Sequence, residues 1–307
     1  WRDVVEDDQV HLVSVCTPND THAEIAIAAL AAGKHVWCEK PMSTTLADST
    51  AMANAAASSA GKTIIGYNYT KNPAVTHARR LIDSGVIGRV SGFFCRYDVD
   101  NEADGNRPWS WRMSRAQSGT ESNGDVLSHV ISVAHFLTNS SISRVVGDYT
   151  IVHEERADSQ AAGQTKIVDN DDMVAALIHF ENGVKGHIGA SRVTWGRKCG
   201  LRWELHGTEG TIMYDQERLN ELKLFTRQDN PATDGFRTIL TGPLHEPYAA
   251  FLPNGGHSLG YMDVKICELH DLLSAIEANS PVWPSFSDGL KIERVMDAVD
   301  RSAQTNK

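Results

Sequence analysis

Three residues have the types and spacing to do proton chemistry. Lys40 stands in "HVWCEKPMS" (residues 35–43), where an apolar run ends abruptly in Glu39, Lys40 and Pro41. Two opposite charges and a proline at the mouth of a buried strand are costly unless something uses them. A lysine ammonium carries three donors, which suits an oxygen that is gaining negative charge. Asp125 and His129 lie four residues apart in "GDVLSH", so a helix places them on one face. An imidazole ordinarily titrates at about 6.5 and exchanges a proton close to neutrality. Pro41 has no N–H and restricts Lys40 to extended backbone.

The elements that must position these residues show in the apolar period. "VHLVSVCT" (residues 10–17), "HVWCEK" and "TIIGYNY" are short β-rich runs, as expected of strands buried on both faces. Each is followed by a helical segment. "DTHAEIAIAALAAGK" has Asp20 or Thr21 as N-cap and Gly33 as its stop; "TLADSTAMANAAASSAGK" ends at Gly61; "PAVTHARRLIDSG" has Pro73 in its first turn. This alternation predicts part of a doubly wound parallel sheet, with ligands bound outside the carboxyl ends of the strands. Lys40 lies at one such end, residues 17–19 at another and residues 67–70 at a third.

From Gly88 the pattern changes. "RVSGFFCRYDVD", "RVVGDYTIVHEE", "MVAALIHFENGVKGHIGASRV" and "LRWELHGTEGTIMYD" read as strands with turns at Asn182-Gly183 and residues 207–210. They predict a large, mostly antiparallel open sheet with one helix over residues 124–137 and two closing helices. The fold class is therefore α/β plus α+β. Residues 1–88 form a partial dinucleotide-binding domain, residues 89–285 a substrate-binding and oligomerisation domain, and the helix in residues 286–307 packs back on the first.

Composition narrows the function classes. With 307 residues, 22% of them charged and a net charge of -10, the chain offers no basic face to a nucleic acid or an anionic membrane. No apolar run approaches the ~18 residues that span a bilayer. Five cysteines without a C-x-x-C pair point to free thiols in a reducing, cytoplasmic setting and to no metal site. Cys38 reads as a small buried thiol rather than a nucleophile. "DNDD" (residues 169–172) lacks the spacing and glycine of a calcium loop and reads as a solvated strand entrance. His135, six residues beyond His129, faces elsewhere. No G-x-G-x-x-G turn follows a first strand, and "VHLVSVCT" would present an unpaired edge. About 60–80 further residues, two βα units, are therefore expected before Trp1.

"VHLVSVCTPNDTHAEIAIAALAAGKHVWCEKPMS", "GYNYTKNPAVTHARRLIDSGVIGRVSGFF", "PWSWRM" with "GDVLSH", "HGTEGTIMYD" and "PVWPSFSDGLKIERVMDAV" together resemble the glucose–fructose oxidoreductase/inositol dehydrogenase (Gfo/Idh/MocA) family over nearly the whole chain. The resemblance implies hydride transfer between a nicotinamide, NAD or NADP, and a carbon bearing a secondary hydroxyl of a sugar, cyclitol or derivative. Lys40 would hold the hydroxyl oxygen, His129 would serve as acid/base, and Asp125 would hold a second hydroxyl or orient His129. The resemblance further implies a cis Lys40–Pro41 bond. It places Thr17, Pro18, Asn19, His22, Glu39, Lys40, Pro41, Asn68, Trp111 and Arg112 at the cofactor. Trp109 would join Lys40, Asp125 and His129 at the substrate, and a homo-dimer or homo-tetramer would form through the sheet.

Glu121, Asn123 and Leu127 depart from the small or apolar residues that the family carries there, which bears on the pocket and on helix entry. Two other readings stay open. One is an NAD-dependent glycoside hydrolase acting by transient oxidation. The other is a non-catalytic dinucleotide-binding regulator, which would not need Lys40, Asp125 and His129 together.

Overall fold

Short apolar runs alternate with Ala-rich helices at the start of the chain because a strand buried on both faces leaves no room for polar residues. The computed structural model describes residues 1–227 and 231–305; residues 306 and 307, the end of the segment expected to pack back on the first domain, lie outside the described residues. The first layer comprises α1 (Arg2–Glu6), β1 (Leu12–Val15), α2 (His22–Ala31), β2 (His35–Cys38), α3 (Leu46–Ala57), β3 (Thr63–Ile65) and α4 (Pro73–Asp83). The strands pair in parallel in the order β1-β2-β3. Pro73 opens α4, with the Asn72 side chain accepting from Ala74 N, and Gly33 ends α2 at φ +76°.

Two expected helix ends differ. Thr21 precedes α2 without capping it, because a 3-10 turn over Asn19–Thr21 intervenes and the Thr21 hydroxyl donates to the Pro18 carbonyl instead. The second helix stops at Ala57, well before Gly61. A Cβ at Gly61 would sit 2.3 Å from the Lys34 carbonyl oxygen, so this glycine is needed for a close approach and not for a helix stop.

The second part contains β4 (Val90–Asp98), α5 (Arg115–Ser118), α6 (Ser128–Thr138), β5 (Ile142–Thr150), β6 (Glu155–Ala157), β7 (Thr165–Ile167), β8 (Met173–Phe180), β9 (Lys185–Ser191), β10 (Gly200–Gly207), β11 (Gly210–Asp215), β12 (Glu221–Thr226) and β13 (Arg237–Leu240). Two long helices follow, α7 (Tyr261–Glu277) and α8 (Phe286–Thr305). Eight strands form one sheet in the order β13-β12-β11-β10-β4-β9-β8-β5, antiparallel except for the parallel pair β4–β9. The sheet is thus mostly antiparallel and open, as the sequence predicts. β6 and β7 form a separate hairpin.

The core runs without a break from β1–β3 through α6 to one face of the large sheet, with Val130, Ile131, Val133 and Ala134 of α6 fully buried. The α8 helix joins the two parts: Phe286 N donates to Thr63 Oγ1 beside β3 (3.1 Å), and Ser302 Oγ accepts from Gly147 N of β5 (3.0 Å). No helix among the described residues is long and apolar enough to cross a membrane.

Candidate active site

Lys40 follows β2 directly, and its bond to Pro41 is cis. The Lys40 ammonium forms an ion pair with Asp125 Oδ1 and donates to the Asp125 carbonyl oxygen at 3.1 Å. Residues 85 positions apart are therefore brought into direct contact at the carboxyl end of the parallel sheet. Burial opposes charge on Asp125, but Lys40, aided by Arg112, outweighs it and holds the carboxyl below its ordinary range.

Asp125 does not lie on a regular α-helix. The expected helix over residues 124–137 begins as a wide π turn, Ser122–Leu127, and becomes α-helical only at Ser128. His129 stands just inside the regular helix, 5% exposed, with its ring against Tyr69 (centroids 4.4 Å) and edge-on to Tyr67 (5.6 Å) and Tyr97 (5.9 Å). Its Nδ1 is buried without a hydrogen-bond partner among the described residues. Burial first, then the ammonium groups of Lys40 and Lys265, push the imidazole well below its ordinary titration range. A neutral ring with an unengaged nitrogen can accept a proton.

Around this centre the remaining sequence-derived candidates take different places. Glu39 pairs with Lys265 of α7 (2.6 Å), which also reaches Glu268 (2.9 Å), so its carboxylate is committed to a buried ionic cluster. The two ring nitrogens of His22 lie 3.0 Å from the Pro41 carbonyl oxygen and 2.9 Å from that of Thr17, so the ring fastens the β1 end to the β2 end. Asn68 follows β3 with its amide Nδ2 buried and unpartnered among the described residues. Trp109 donates from Nε1 to the Ile167 carbonyl (3.0 Å) with Lys166 over its ring, which anchors it on the β6–β7 hairpin. Trp111 is 42% exposed with the Arg112 guanidinium 4.7 Å from its ring centroid. His135 faces away from the centre, accepting from Ile142 N at 3.1 Å, and burial pushes it down to about 4.

Pro18 and Asn19 from one part and Trp111 and Arg115 from the other line a single groove of about 650 Å³, closed at its side by Thr44, Thr45 and Gly119. The groove opens at the carboxyl ends of parallel strands and joins polar backbone to an aromatic wall. Asn68, at the end of β3, does not line this groove. A groove outside the carboxyl ends of parallel strands is where such folds take ligands.

Four residues near the centre carried no signal in the sequence. Arg192, just past β9, is 3% exposed and pairs with Glu121; its Nη1 is 3.8 Å from Asp125 Oδ2. A charged residue at the end of the apolar strand run in "GASRV" was the available cue. Lys265 and Glu293 lie on distant helices, and Tyr69 looked like one strand-end residue among several.

The "DNDD" run is not a solvated strand entrance. Asn170, Asp171 and Asp172 are buried, and the Asp171 carboxyl accepts from Glu121 N (2.9 Å) and Asn123 N (2.8 Å) while Asp172 accepts from Val152 N (2.6 Å). The segment satisfies backbone donors at the entry to the π turn. The departures at Glu121, Asn123 and Leu127 thus serve that turn: Glu121 meets Arg192, Asn123 meets α8, and Leu127 is fully buried.

Comparison with known proteins fits this geometry. Residues 1–67 match the oxidoreductase family with an NAD-binding Rossmann fold (GFO_IDH_MocA), and residues 75–213 match the GFO/IDH/MocA C-terminal domain. The chain is 39% identical to the levoglucosan dehydrogenase of Pseudarthrobacter phenanthrenivorans, over 99% of this chain and 80% of that protein. It is 24% identical to the inositol 2-dehydrogenase of Rhizobium meliloti, over 95% of this chain and 78% of that protein. A solved structure of levoglucosan dehydrogenase in complex with NADH and levoglucosan superposes with a TM-score of 0.94 at 38% identity, covering 100% of this chain and 81% of the other.

Proposed function

The chain belongs to the GFO/IDH/MocA family of NAD-binding oxidoreductases, enzymes that act on sugar and cyclitol hydroxyls, and on that premise we propose that it oxidises a secondary hydroxyl of a neutral anhydrosugar or a related polyol. The observation that carries the reading is the Lys40–Asp125 ion pair at the carboxyl end of the parallel sheet, beside a buried His129 whose Nδ1 has no partner among the described residues. Bound NAD would supply the hydride acceptor.

The protein's own residues handle the hydroxyl. Lys40 donates to its oxygen and stabilises the negative charge that grows there as the C–H bond weakens. His129 takes the hydroxyl proton, so the substrate leaves as a ketone and the ring as an imidazolium that later releases the proton. Asp125 offers its second oxygen to a neighbouring hydroxyl and keeps the Lys40 side chain aimed. The pocket already balances Lys40 and Arg192 against Asp125 and Glu121, so an uncharged substrate leaves that balance intact. A cytoplasmic setting accords with five free cysteines.

The test is NADH formation by the full gene product on levoglucosan, myo-inositol and a panel of sugars. Lys40→Ala and His129→Ala are each expected to lower kcat by ~10²–10⁴-fold while the fold persists by circular dichroism. Wild-type rates in both variants would sink the mechanism. Phenol release from an aryl glycoside without net NADH would replace oxidation by hydrolysis as the reaction.

A further inference from the structure

Lys40 and Asp125 meet through a flexible side chain, and the backbones that carry them come from separate layers of the fold. The α8 helix bonds a residue two positions from each. Glu293, 7% exposed, accepts from Met42 N at 2.8 Å, and Met42 is two residues past Lys40. One turn further, the Met296 carbonyl oxygen accepts from Asn123 Nδ2 at 3.0 Å, and Asn123 is two residues before Asp125. The helix comes this close because residue 289 is glycine: a Cβ there would fall 3.0 Å from the Ile65 side chain and 3.1 Å from Met42 Sδ.

We propose that Glu293 and Asn123 are positioning residues, through which α8 sets the register of the Lys40 ammonium against the Asp125 carboxylate. The proposal rests on the reaction argued above. Glu293 bonds the backbone at Met42 and Asn123 bonds the backbone of α8, so each acts beside Lys40 or Asp125 rather than on it. Burial pushes the Glu293 carboxyl up to about 8, so at neutral pH a glutamine is a close mimic of it. A misplacement of about 1 Å at a reacting group lowers turnover by as much as ~10²-fold.

The experiment compares Glu293→Met, which keeps the volume and removes the acceptor, with Glu293→Gln, which keeps an acceptor, and with Asn123→Leu. Lys40→Ala is measured alongside, all in the full gene product. Glu293→Met and Asn123→Leu are each expected to lower kcat by ~10–100-fold, with NADH affinity by fluorescence titration within threefold of wild type. A deuterium isotope effect on kcat should appear or grow, because the chemical step becomes limiting. Glu293→Gln should return kcat to within threefold. The double variant should lose less than the product of the two single losses, because both act on one distance.

Glu293→Met at wild-type kcat, or Glu293→Gln as impaired as Glu293→Met, overturns the proposal. So does a kcat loss without a changed isotope effect, which would mark a general loss of structure. If Lys40→Ala alone is inactive, the reaction stands and only the register argument falls. If Lys40→Ala is fully active, the reaction itself is wrong.

Discussion

A histidine that takes a proton from an alcohol has to be neutral when the alcohol arrives. His129 meets that condition by placement: three tyrosine rings surround it, and two ammonium groups lie near enough to disfavour a third positive charge. The direction of the shift gives a pH prediction. A base whose pKa lies below the ordinary 6.5 stays deprotonated into acid, so the acid limb of kcat/KM for oxidation should fall below pH 6.5. Folding follows the same sign. The unfolded chain takes up this proton near pH 6.5 and the folded one resists it, so stability drains away as pH falls below that value. Rate measurements from pH 5 to 9 check the first point, and an acid limb centred above 6.5 would remove His129 as the base. Lys40, Asp125 and His129 stand out in the sequence through residue chemistry together with the family resemblance, and the fold brings them together. Arg192, Glu293 and Lys265 do not stand out, because what makes them matter is a partner 67, 251 or 226 residues away.

The least legible element was the entry to α6. A four-residue spacing between Asp125 and His129 implied one regular helix, yet the turn that carries Asp125 is wider than α. What shapes the entry comes from distant segments. Asp171 accepts from the amides of Glu121 and Asn123, which have no acceptor within the turn, and the Asn123 side chain donates to α8. The "DNDD" run looks like a solvated charge cluster in the sequence, because acidic runs usually are solvated and nothing in its order shows which segment it will cap. The strands and helices of residues 1–88, by contrast, follow from apolar period and punctuation alone, since local sequence decides them. Burial pushes the Asp171 carboxyl up to about 7 even as two amides donate to it. Replacing it leaves both amides buried and unpaired. Asp171→Leu should therefore cost roughly 2–4 kcal/mol in urea unfolding, and Asp171→Asn, which keeps an acceptor, clearly less. Equal losses in the two variants would mean that packing, not the amide pairing, holds the turn.

At the scale of the molecule, the large sheet presents two unlike faces. One carries Val174, Ala176, Ile178 and Phe180 of β8 into the core beneath α6 and α8. The other leaves Val146 of β5 54% exposed and Leu177 of β8 61% exposed, directly opposite each other in the register. Further along the same sheet, Arg96, Arg202 and Lys223 alternate with Glu204, Asp215 and Glu221 around a cavity of about 380 Å³. A face that carries paired aliphatics and both signs of charge can be self-complementary under a two-fold axis, with the aliphatics near the axis and each charged patch meeting one of opposite sign. We propose this face as the place where the homo-dimer or homo-tetramer expected through the sheet forms. Sedimentation of the full gene product should give an assembly larger than one chain, and Leu177→Asp should shift it toward monomer by placing unpaired like charges across the axis. Because Lys40, Asp125 and His129 lie on the core side of the sheet, opposite the face that carries Leu177, the variant should keep its turnover per chain. An assembly that survives Leu177→Asp unchanged would move the interface off this face.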